Sequence, residues 1–178
     1  MWKLWNRMTK IRKNLFSPLI ESFPLILLFI LIFTGFDLSF SVYEKNFSFN
    51  FVYILIFFWI LKDPEKLGYG IIFLAGLIND IVQNFPIGIS SINFLLLCAI
   101  AAYVRARTIL PNIFYDWVIF LIAIIIVSSI QYSILYLIFE TPLEYGILMS
   151  SLFLTFLIYP IFSKLFNGIY LLSLGKND

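Results

Sequence analysis

The chain has 178 residues, of which 62% are hydrophobic and 12% charged, with a formal net charge of +2 and a mean hydropathy of +0.99. Soluble domains hold about 45–50% apolar and about 25% charged residues, and a small domain has too little interior to hide such an excess, so an ordinary water-soluble fold is excluded and the surplus must face lipid. There is no His and one Cys, which excludes an imidazole base, a haem or histidine-based metal site, and an internal disulfide; Cys98, mid-run, reads as a small buried hydrophobe.

The first twenty residues are basic. Leu4, Met8, Ile11 and Leu15 fall at helical spacing, with Lys3, Lys10 and Lys13 elsewhere around the wheel. Two readings stand: a short interfacial helix on anionic lipid, anchored by Trp2 and Trp5, or a basic tail that only sets topology. No A-x-A-like site follows, so the stretch is not expected to be a cleaved signal peptide.

Six apolar runs come next, at about 23–36, 47–61, 67–85, 87–104, 117–139 and 145–163. A membrane-spanning helix needs about 20 residues, so the first two are short and must borrow polar flanks. Cytoplasmic loops collect Lys and Arg. With the N-terminus inside, Lys3, Arg7, Lys10, Arg12, Lys13, Lys62, Lys66, Arg105, Arg107, Lys164 and Lys176 are all cytoplasmic, and of the 12 basic residues only Lys45 lies outside. The expectation is an all-α integral membrane protein. It forms one transmembrane domain over 1–178, a six-helix bundle with both ends in the cytoplasm and no soluble domain.

Charge inside a bilayer is unfavourable by about 2.5–3.5 kcal/mol at a helix centre, and only Asp80 sits deep. At 1.5 Å per residue it lies about 21 Å above Lys66, Asn93 lies about 9 Å below the outer edge of the core, and Gln131 lies about 21 Å above Trp117. Asp80, Asn93 and Gln131 are therefore expected to share one level and face each other. Asn79 and Ser90, Ser128 and Ser150 or Ser151 should lie nearby. Asp80 has two open roles: interhelical glue, or binding of a cation, a proton or a small ligand. Gly76, on the same face as Asp80, would let a neighbouring helix approach. Pro86 and Gly88 suit a tight outer turn, making helices three and four a hairpin.

The stretch FFWILKDPEKLGYGIIFLAGLINDIVQNFPIGISSINFLLLCAIAAYVRAR resembles the core of the rod shape-determining protein MreD family. The features that match are an aromatic helix, a polar loop with Pro64, then Gly70, Gly76, Asp80, the Pro-x-Gly turn and a long apolar helix. Asp80 and Gly88 are the most specific matches. A looser likeness runs from about Phe47 to Tyr170, including Pro160; Asn84 and the pair Lys62-Asp63 depart from the pattern. The resemblance implies a non-enzymatic scaffold of the cell-elongation machinery in the bacterial inner membrane, supporting rod shape and lateral peptidoglycan synthesis. The partners it implies are an MreC-like bitopic protein, MreB, RodA and a class B penicillin-binding protein, with no nucleic acid, cofactor or metal.

The family is also similar in fold to the substrate-binding subunits of energy-coupling-factor transporters. This supplies the alternative, a membrane subunit that binds a vitamin-type small molecule. Such subunits dock through small residues on helix one, and helix one here has none before Thr34 and Gly35. A lipid-modifying enzyme is the weakest of the three, because Asp63, Glu65 and Asp116 read as solvated loop charges.

Overall fold

The computed structural model describes residues 22–35, 40–42, 45–47, 49–108, 112–139 and 145–174. The basic N-terminal segment lies outside the described residues. Six helices follow one another: α1 (Phe23–Thr34), α2 (Phe51–Lys62), α3 (Tyr69–Gln83), α4 (Ile89–Arg107), α5 (Ile113–Phe139) and α6 (Tyr145–Leu174). A 3₁₀ turn over Pro64–Lys66 joins α2 to α3. Between α1 and α2, β1 (Phe40–Val42) and β2 (Lys45–Phe47) form a small antiparallel hairpin. The second helix therefore begins at Phe51, four residues after the apolar run does. The alternation of apolar and polar residues over this stretch has the period of a strand rather than of a helix.

The helices divide by length. α4, α5 and α6, of 19, 27 and 30 residues, include the three segments long and apolar enough to cross a membrane. α1 and α2 have 12 residues each and α3 has 15, or about 18 and 22 Å of rise against a hydrocarbon core of about 30 Å. α2 is apolar all round, and every residue from Phe51 to Leu61 is buried, as a helix without a polar face requires. It lies against α1, α4 and α6, so its oily surface is covered by protein rather than lipid. The apolar surface left outside is concentrated on the long helices, with Ile122, Ile125 and Leu137 on α5 and Phe153, Leu157 and Ile161 on α6 exposed.

α6 continues through Pro160 to Leu174, eleven residues beyond the apolar run. A proline in a helix has no N–H to give to the carbonyl four residues back, here that of Phe156. The Trp117 indole N–H of α5 donates to that carbonyl at 2.8 Å, and the two rings stack with centroids 4.6 Å apart. The vacancy left by the proline is thus filled from the neighbouring helix.

Candidate functional site

The α3–α4 hairpin is built around one carboxylate. α3 ends at Asn84 in the left-handed conformation, φ 56°, one that Asn tolerates better than most residues; this accounts for an Asn where a small residue would be the ordinary choice. The Phe85 N–H then closes the turn onto the Asp80 carbonyl at 2.8 Å. Gly88, at φ 105°, starts α4. The Asp80 carboxylate accepts the N–H of Gly88 at 2.7 Å and that of Ser90 at 2.9 Å. These are first-turn amides that have no partner within their own helix, and they lie where the helix dipole favours an anion. Asp80 itself is fully buried.

Two further bonds fasten the pair. Asn79 donates to the Ser90 hydroxyl at 2.9 Å, and the Ser91 hydroxyl donates to the Phe73 carbonyl at 3.0 Å. Gly76 lies so close to α4 that a Cβ there would stand 2.5 Å from the Ser91 Cα and 2.6 Å from its backbone nitrogen. At this point backbone meets backbone, with no room for a side chain between the helices.

The three polar groups placed at one level have three different environments. Asp80 caps α4. The Gln131 side-chain oxygen accepts the Tyr53 hydroxyl at 3.0 Å. Asn93 is fully buried, and neither its oxygen nor its nitrogen has a hydrogen-bond partner among the described residues. They do not hydrogen-bond to one another.

Asn79, Ser90, Ser128, Gln131 and Ser151 do meet, around a cavity of about 200 Å³ at the end of the bundle that carries the α3–α4 turn. All six helices contribute to its wall, from Leu31 of α1 and Tyr53 of α2 to Thr155 of α6. Gln83 and Asn50 also line it; the Asn50 backbone N–H bonds the Thr155 hydroxyl at 3.0 Å. No charged side chain among the described residues lines this space. Ser150 does not reach it, and its hydroxyl turns to the Ile147 carbonyl. Spacing put these residues at a common height, but only packing separated cavity walls from caps.

The opposite end of the bundle carries charge. Lys66 pairs with Asp63 at 3.7 Å and lies 5.3 Å from the ring centroids of both Trp59 and Tyr170. Asp116, expected as a solvated loop charge, is only 4% exposed in the first turn of α5, with Lys62 and Tyr159 as its electrostatic neighbours. The reason is that α5 begins at Ile113, ahead of the apolar run, which carries Asp116 into the bundle. Glu65 is exposed as expected. Among the described residues no group of three acidic, Cys or His side chains is placed to hold a metal.

No family model, no curated protein and no solved structure matches the chain.

Proposed function

We propose that the chain is a non-enzymatic membrane scaffold of the bacterial cell-elongation machinery, resembling the MreD family, which crosses the inner membrane several times with both ends in the cytoplasm. The observation that carries this reading is the bond between Asp80 and Gly88 at 2.7 Å. The two positions most specific to the resemblance serve together to hold a helix hairpin in shape, which is an architectural use of an intramembrane acid. The charged end holding Lys62, Lys66 and Asp116 faces the cytoplasm in this reading, as the distribution of basic residues requires.

The exposed apolar faces of α5 and α6 offer a surface on which the single helix of an MreC-like protein packs, with MreB, RodA and a class B penicillin-binding protein gathered through it. Co-purification of an MreC-like protein with the full chain in mild detergent tests the proposal. Retention of the partner is the expected result, and its loss while the bundle stays folded overturns the reading. The cavity favours a second reading, a substrate-binding subunit of a vitamin-type transporter. Binding of a water-soluble vitamin to the purified chain, with no partner retained, would select it.

A further inference from the structure

The polar cavity has a neighbour. Ser128, Tyr132, Leu148 and Leu152 belong both to its wall and to that of a second, open space of about 450 Å³ between α5 and α6. That groove continues along exposed Ser129, Ser133 and Tyr136 of α5 and exposed Met149 of α6. A polar chamber with no charged side chain among the described residues of its wall therefore adjoins, across Ser128, Tyr132, Leu148 and Leu152, a groove on the exposed side of α5 and α6. Within the chamber, the Ser128 and Ser151 hydroxyls and the Gln83 amide make no hydrogen bond to a described residue. Polar groups at membrane depth need partners, because lipid supplies none. The Ser133 hydroxyl, out in the groove, meets that need by bonding the Ser129 carbonyl at 2.7 Å, whereas Ser128, Ser151 and Gln83 have no such bond among the described residues.

From this pairing we propose that the chain binds an uncharged amphiphile, a lipid whose hydroxylated or amide headgroup enters the chamber while its hydrocarbon chain lies in the α5–α6 groove. The chemistry on each side selects this occupant. Among the described residues, no cation lines the chamber to neutralise a phosphate, and no acid to pair an amine. The chamber has the volume of about seven waters at ~30 Å³ each, which suits a small head and excludes a partner helix about 10 Å across. The proposal is independent of the scaffold reading, and either can fail alone.

The experiment uses the full chain in nanodiscs, with a monoacylglycerol carrying a photoreactive group in its acyl chain and a phosphatidylglycerol carrying the same chain. The expected result is labelling of Tyr136 and Met149 about tenfold stronger with the uncharged lipid, the ratio that one or two hydrogen bonds to the head supply. Ser128→Val with Ser151→Val is expected to remove that preference while thermal unfolding stays unchanged. Should that pair fail to fold, Met149→Trp, at an exposed position, narrows the groove without touching the interior and is expected to reduce the labelling of Tyr136. Equal labelling by the two lipids would mean an ordinary lipid annulus and overturn the proposal. So would labelling that none of the substitutions alters, or calorimetric binding of free glycerol with no preference between the lipids, which would make the occupant a water-soluble solute.

Discussion

The Asp80 carboxylate accepts the backbone N–H of Gly88 at 2.7 Å, so a side chain in the last turn of one helix caps the next. Its second oxygen takes the Ser90 N–H at 2.9 Å. A water-exposed cap of this kind is worth about 0.5–2 kcal/mol, and a buried donor left without a partner costs about 1–3 kcal/mol. We expect Asp80→Ala to lower stability by about 2–4 kcal/mol on those grounds, and Asp80→Asn, which keeps one acceptor oxygen, by about half as much. Reversible unfolding of the purified protein in mixed micelles gives the comparison. Wild-type stability in both variants would show that the cap carries no weight.

Gly76 gives a sharper steric test. A Cβ at this position meets the Ser91 Cα and backbone nitrogen as well as its hydroxyl, at 2.5, 2.6 and 2.8 Å. Gly76→Ala should therefore force α3 and α4 apart, at about 1–3 kcal/mol or more. Ser91→Ala removes only the hydroxyl contact, so the double variant is expected to remain as unstable as Gly76→Ala alone. Rescue by Ser91→Ala would mean that the helices meet through side chains.

Trp117 and Pro160 form a pair across the bundle although the contact runs through Phe156. Trp117→Phe strands the Phe156 carbonyl and is expected to destabilise by about 1–3 kcal/mol. Pro160→Ala restores an N–H that can bond the same carbonyl within α6. In that background the penalty for Trp117→Phe should fall to what loss of the indole packing alone accounts for. A double-mutant cycle measures this difference; additivity within about 0.3 kcal/mol would remove the link.

Tyr53 and Gln131 join α2 to α5 by one hydrogen bond of 3.0 Å at the cavity wall. A coupling energy of about 0.5–1.5 kcal/mol is expected between Tyr53→Phe and Gln131→Leu. A coupling of zero in the same unfolding assay would mean that the bond is not formed in the membrane-embedded protein.

Cys98 is 1% exposed, so a maleimide should leave the folded chain unmodified and react once it unfolds. That silence makes the native chain a background for topology. In intact cells an impermeant maleimide is expected to label Lys45→Cys and to spare Arg105→Cys. The reverse pattern would invert the orientation, and labelling of Cys98 itself would contradict its burial.

Much of the architecture is legible in particular residues. Runs of Ile, Leu and Phe bounded by charge mark six helices, because each apolar stretch must leave water whatever its neighbours are. Pro86 and Gly88 mark the α3–α4 turn, since backbone conformational limits act within a few residues. The hairpin at Phe40–Phe47 was harder to see; two strands of three residues are shorter than is usual for a strand and lie among aromatics that hydropathy counts as membrane-like. The length of α6 was masked by Pro160 and Lys164, local signals for an ending that a contact from Trp117 and the packing of Phe166 outweigh.

The sequence by itself determined that the chain is too apolar for water, that its apolar runs form the six helices of the described residues, and that Asp80 falls inside one of those runs, where a carboxylate needs a partner. These are matters of composition, local chain geometry and solvation, which are set residue by residue. Only the tertiary structure decided that Asp80 turns to the Gly88 amide rather than to Asn93 or Gln131, that Asp116 is buried, and that Ser128, Gln131 and Ser151 open onto a shared cavity. Those outcomes depend on how each helix is rotated about its axis and how closely it approaches its neighbours. Distant side chains packing together set both, and spacing along one strip of sequence cannot.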